Sequence, residues 1–144
     1  MNIKIACCGL YCGACGIYLA TRNQELELLS KESDIPVHYL GCEGCRSDTN
    51  NLCCMNCSIK RCCQHKNINS CNECDEFPCA VLVAFDKDEH PHHSGVIESL
   101  KALSESGEDN WLRLQHQRWT CEQCKTEFHW YQNKCESCGM EVNT

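Results

Sequence analysis

No stretch of this 144-residue chain is long and apolar enough to cross a bilayer. Its longest uncharged, mostly apolar run, residues 5–20, falls short of the roughly 20 residues a membrane helix needs. Cysteines and glycines interrupt that run, so it is also a poor export-signal core. Positive charge is scarce: 13 Lys and Arg face 20 Asp and Glu, for −7 with neutral histidines. Nucleic-acid affinity rests on neutralising phosphates, so this deficit counts against a DNA or RNA partner. From Trp119 onward the local balance agrees, with Lys125 and Lys134 against Glu122, Glu127, Glu136 and Glu141. Ordinary apolar side chains are thin as well. The hydrophobic class is 42% of the chain, but that includes all 18 cysteines, and without them it falls below a third. No Ser-His-Asp order, phosphate-cradling glycine loop or carboxylate pair stands out, so no catalytic residue is assigned and a non-enzyme is expected.

Cysteine is what the chain has in excess. Exported cysteine-rich chains form disulfides, whereas intracellular ones usually bind metal. With no export signal to read, the expectation is a cytoplasmic metal protein. The spacing agrees: Cys12/Cys15, Cys42/Cys45, Cys54/Cys57, Cys71/Cys74, Cys121/Cys124 and Cys135/Cys138 are all C-x2-C pairs. Each site of four thiolates around a divalent ion adds a net −2, making the loaded protein more acidic still.

Hydrophobic periodicity predicts a helix over 17–33, ended by Pro36, and another opening at Cys79 behind Pro78. Val96, Ile97, Leu100 and Leu103 form a core-facing stripe that Gly107 stops. A short helix over 110–117 is expected to bury Trp111, Leu112 and Leu114. Residues 41–79 hold ten cysteines and only five other apolar side chains (Leu52, Met55, Ile59, Ile68 and Phe77). Ordering each residue costs about 1–2 kcal/mol, which five side chains cannot offset, whereas a structural zinc contributes about 10–16 kcal/mol. This region is expected to unfold without metal.

The strongest motif is Cys121-x2-Cys124-x10-Cys135-x2-Cys138, the spacing of a zinc ribbon with a β-hairpin spacer turning at Gln132-Asn133. Phe128, Trp130 and Tyr131 are expected to serve its packing. A second set, Cys42-x2-Cys45-x8-Cys54-x2-Cys57, is followed by Cys62, Cys71, Cys74 and Cys79; which four share an ion is open. The third, Cys8-x3-Cys12-x2-Cys15, is closed by Cys79 or a doublet cysteine, or else carries an iron–sulfur cluster. The doublets Cys7-Cys8, Cys53-Cys54 and Cys62-Cys63 leave Cys7, Cys53 and Cys63 as spare thiols. His90, His92 and His93 read as a solvated loop, and His65 and His129 as substitute ligands at best.

Cys8-Gly-Leu-Tyr-Cys12-Gly-Ala-Cys15, Cys42-Glu-Gly-Cys45, Cys54-x2-Cys57-Ser-Ile-Lys-Arg-Cys62 and Cys71-x2-Cys74-Asp-Glu-Phe-Pro-Cys79 together resemble the small cysteine-rich prokaryotic proteins of the domain of unknown function 3795. The resemblance spans about residues 5–85 and implies a metal-binding, cytoplasmic protein with no assigned activity. It implies eleven ligands: Cys8, Cys12, Cys15, Cys42, Cys45, Cys54, Cys57, Cys62, Cys71, Cys74 and Cys79. The expected architecture is a small metal-stabilised α-plus-irregular fold. It has a cysteine-rich domain (1–85), a helical connector (86–118) and a zinc ribbon (119–144). Several zinc ions, a protein-docking role and no membrane or nucleic-acid partner complete the expectation, with an iron–sulfur or thiol redox protein as the alternative.

Overall fold

A computed structural model of the chain describes residues 2–142; Met1 and the last two residues of the expected ribbon lie outside it. The fold is helical and cysteine-rich, and no strand forms among the described residues. The helix expected over 17–33 is two helices, α1 (Gly16–Asn23) and α2 (Leu26–Ser33). Gln24 ends α1 in the left-handed region (φ 62°), its N–H turning back to the Ala20 and Thr21 carbonyls. The break follows from an apolar pattern that never forms one stripe. Tyr18, Leu19 and Ala20 are buried in α1, whereas α2 buries nothing and leaves Leu28 57% exposed.

Three short helices follow. The Asn51 side chain starts α3 (Leu52–Met55) by accepting from the N–H groups of Cys53 and Cys54 at 3.0 and 3.3 Å. That satisfies donors a helix start otherwise leaves open. Next, α4 (Ser58–Lys66) buries Ile59 and Cys63, and α5 (Ala80–Asp86) buries Leu82. The expected stripe is α6 (Val96–Ser106), with Val96, Leu100 and Leu103 buried. Across Gly107 it meets α7 (Glu108–Arg118), where Trp111 is buried but Leu114 is 46% exposed. The inward face of α7 runs through residues 111, 112, 115 and 119, which puts Leu114 on its outer flank.

The core is shared along the chain. Ile5 and Tyr11, Cys63 and Leu82, Leu100 and Trp111, and Trp119 and Phe128 belong to one buried cluster. Short contacts fasten its outer parts: the Ser99 hydroxyl donates to the Gly9 carbonyl (2.8 Å), and the Trp130 N–H to the Ala14 carbonyl (3.1 Å). Among the described residues no helix is long and apolar enough to cross a membrane.

Candidate metal centres

The last segment is two similar knuckles. In the first, the Lys125 N–H donates to the Cys121 carbonyl (2.9 Å) and the Cys121 N–H to the Thr126 carbonyl (2.9 Å). In the second, Gly139 and Met140 repeat those contacts with Cys135, both at 2.8 Å. The turn needs a left-handed residue after each pair: Gly139 (φ 75°) adopts it freely, while Lys125 (φ 63°) does so against its side chain. The expected β-hairpin does not form. Single antiparallel bridges, Thr120 to Glu127 and Lys134 to Glu141, bracket each knuckle instead. The spacer's N–H groups explain why. Phe128 donates to Trp119 and Trp130 to Ala14, while within the spacer the Gln132 N–H closes a turn on the His129 carbonyl (3.0 Å) without a ladder beyond it.

Folded this way, Cys121, Cys124, Cys135 and Cys138 place their sulfurs within 4.8 Å of one another. The Cys121–Cys138 and Cys124–Cys135 sulfurs are 3.7 and 3.5 Å apart. A tetrahedron with metal–sulfur bonds of about 2.3 Å has edges of about 3.8 Å. The four sulfurs therefore fit one tetrahedral thiolate-bound ion. Hydrogen bonds from the Thr126 hydroxyl and N–H lower the Cys124 thiol to about 6. At Cys138 the Met140 N–H favours the thiolate, but desolvation and the neighbouring thiols outweigh it and raise the group to about 12. Cys124 is thus the readier thiolate, and Cys138 holds its proton more tightly.

The N-terminal cysteines are arranged differently. Cys15, Cys57 and Cys79 each sit at the start of a helix: α1, α4 and α5 respectively. Gly44 lets the Cys42–Cys45 knuckle close against the N-terminal strand of chain: a Cβ there would lie 2.3 Å from the Ile3 carbonyl oxygen. This brings the Cys45 N–H onto the Cys12 sulfur at 3.4 Å. Burial drives up the thiol of Cys8, which Cys45, Cys57 and Cys12 raise further. Burial also raises Cys12, near Cys45, Cys15 and Cys42, and raises Cys54 to about 12, near Cys42, Cys45 and Cys15. Seven expected ligands, Cys8, Cys12, Cys15, Cys42, Cys45, Cys54 and Cys57, are thus linked into one group, with Cys45 next to Cys8, Cys12 and Cys54. No three of them draw as close together as the ribbon quartet does.

The other four are spread out. Cys71 meets Cys63, Cys74 accepts from the Lys66 ammonium (3.2 Å), Cys62 is exposed on α4, and Cys79 caps α5. The doublet cysteines part company. Cys53 is exposed, whereas Cys7 and Cys63 are 6% and 1% exposed.

The histidine loop is more organised than its sequence suggests. His93 stacks on Phe85 (centroids 3.7 Å apart), and His92 stacks on Trp130 (4.5 Å, 7°) and meets the Tyr131 hydroxyl. Asp88, His90 and His93 bring three donor atoms within 4.8 Å. Periodicity carried no trace of this, because the three are joined by a turn and not by a repeat. Phe128 is buried and edge-on to Trp119, while Tyr131 is 54% exposed. His129 accepts from the Tyr131 N–H at 3.2 Å and is not among the donors grouped with the ribbon sulfurs. His65 is exposed on α4.

With the knuckle geometry in view, comparison with known families decides the chain's kinship. The sequence model of the family described as Protein of unknown function (DUF3795) matches residues 4–84, more than half of the chain. The chain belongs to the DUF3795 family. The match covers the N-terminal cysteine region and leaves α6, α7 and the ribbon outside it. No curated protein and no solved structure matches the chain. Membership therefore brings no activity with it, and the chemistry has to be read from the cysteines.

Proposed function

We propose that this DUF3795 protein is a non-enzymatic, multi-zinc protein whose four-cysteine sites hold it in shape, and that it serves as a docking module for another protein. The observation that carries the zinc reading is the ribbon quartet, with sulfur–sulfur separations of 3.5 and 3.7 Å. Four thiolates around a closed tetrahedral site suit zinc, which needs neither redox chemistry nor an open coordination position. The adaptor role rests on what is missing from the sequence: no catalytic constellation and too much negative charge for nucleic acid. A division at 85/86 and 118/119 belongs to the same proposal, as does a cytoplasmic location.

A second reading is favoured by one observation. Cys8, Cys12 and Cys15 have thiol neighbours but lack the tight convergence of the ribbon. Wider spacing suits a multi-iron cluster held by cysteines, since several metals separate the sulfurs. Elemental analysis of the full chain purified without oxygen separates the two. Several zincs per chain and no visible absorption supports the first; iron, acid-labile sulfide and a brown colour supports the second. A protein that retains neither metal overturns both.

A further inference from the structure

Between the two N-terminal knuckle groups lies a row of sulfurs, those of Cys7, Cys45 and Cys63 buried and that of Cys71 half-buried. The Cys45 thiol donates to the Cys7 sulfur at 3.8 Å, and the Cys63 and Cys71 sulfurs are also 3.8 Å apart. Cys7 and Cys63 interact with each other, completing the row Cys45–Cys7–Cys63–Cys71. The backbone fixes this order: the Cys71 N–H donates to the Cys7 carbonyl at 2.9 Å. Both distances equal the edge of a tetrahedral thiolate site, about 3.8 Å.

As neutral thiols the four would simply be small apolar residues, and that would account for the contacts. It would not account for Arg46. Its side chain is 2% exposed; Nη1 reaches the half-exposed Glu108 at 3.2 Å, while Nε and Nη2 have no acceptor. Its charge acts on Cys7. Arginine keeps its proton in proteins, so a buried guanidinium with two idle N–H groups near a neutral Cys7 thiol is unfavourable. A thiolate-bound metal centre carries net negative charge, which offsets that of the guanidinium.

We propose that Cys7 and Cys63 are metal ligands, Cys7 sharing an ion with Cys45 and Cys63 sharing one with Cys71, and that Arg46 is the internal counter-charge of this array. The ions are divalent and thiophilic, of the zinc class, and each thiol that becomes a ligand releases its proton to solvent. The inference rests on the reading of the N-terminal region as a thiolate metal domain. It adds that the two knuckle groups form one connected site.

Cadmium-113 substituted into the full chain tests the ligands without a mutation. The expected result is metal–proton coupling to the β-protons of Cys7 and Cys63, and none at exposed Cys53. Coupling at the ribbon cysteines and at Cys8, Cys12 and Cys15 but not at Cys7 or Cys63 overturns this inference and leaves the metal reading standing. Coupling at no cysteine overturns both. For Arg46, chelator competition on Arg46→Met is expected to release the N-terminal ions at least about tenfold more readily, the loss of a buried counter-charge. Arg46→Lys should lose less, and the ribbon ion should be held as before. Unchanged retention in Arg46→Met, or equal weakening at the ribbon, overturns the counter-charge role.

Discussion

The C-terminal segment expected as a ribbon and the N-terminal cysteine region use the same C-x2-C turn, yet one gathers four sulfurs to a point and the other lays them out as a field. The ribbon has two equivalent knuckles whose hydrogen bonds repeat residue for residue, so each delivers two sulfurs to the same place. In the N-terminal region the pairs precede helices of different length and meet neighbours from several other pairs. A self-contained motif specifies its own geometry, whereas an interleaved one borrows it from the fold around it. The two regions should therefore respond differently to losing metal.

The largest effect expected is from chelation of the reduced protein. The helices α1, α3, α4 and α5 carry few buried apolar residues and should lose their far-ultraviolet circular dichroism cooperatively. A structural thiolate site contributes about 10–16 kcal/mol of apparent binding energy, as much as the whole net stability of a typical domain, about 5–15 kcal/mol. A protein that kept full helix content and a cooperative melt with all thiols reduced and metal removed would abolish the distinction between the regions. Cys135→Ser narrows the test to the ribbon. It should cost one ion and loosen 119–142, while the N-terminal ions stay; loss of every ion would mean that the regions are not separable.

Next in size is Phe128→Ala. Phe128 is 3% exposed and packs edge-on against Trp119, inside the cluster that also holds Tyr11 and Leu100. Emptying such a site costs about 3–5 kcal/mol, read as a lower thermal midpoint of the loaded protein. A drop confined to ribbon metal affinity, with the midpoint unchanged, would show that the ribbon adds nothing to the common core. A smaller effect is expected from Arg22→Ala, which removes the 2.6 Å ion pair joining α1 to Glu127. Arg22 is 45% exposed, so the loss should be under about 1 kcal/mol and should shrink further in salt.

What the sequence disclosed follows the same division. The convergence of the C-terminal quartet was readable because Cys121, Cys124, Cys135 and Cys138 bring their geometry with them. Its expected hairpin was wrong because the N–H groups of Phe128 and Trp130 pair with Trp119 and Ala14, partners that no local pattern reveals. Periodicity located α6 and its end at Gly107, since an amphipathic stripe is set by burial. It missed the break at Gln24, where the polar interval between two apolar groups is where the chain turns. Cys7 and Cys63 read as surplus because doublets have no spacing signature; only their burial between Cys45 and Cys71 gives them a place.

The smallest effect is a pH dependence at the seam between the histidine loop and the ribbon. His92 lies face to face with Trp130, and desolvation, together with His93 and His90, holds its imidazole down to about 4. Asp88 opposes this only in part, and the Tyr131 hydroxyl occupies Nδ1. The folded pKa lies below the ordinary 6.5, so the unfolded chain binds more protons between the two values. Stability from the neutral ring is therefore fully present above pH 6.5 and is lost as pH falls toward 4, with a slope of at most about one proton. His92→Phe keeps the stack and removes the titration. The wild-type midpoint should fall relative to that of His92→Phe as the solution is acidified over that window, after subtraction of the metal loss common to both. Parallel curves would mean that the ring is free to take its proton, and that the loop and the ribbon are not held face to face in solution.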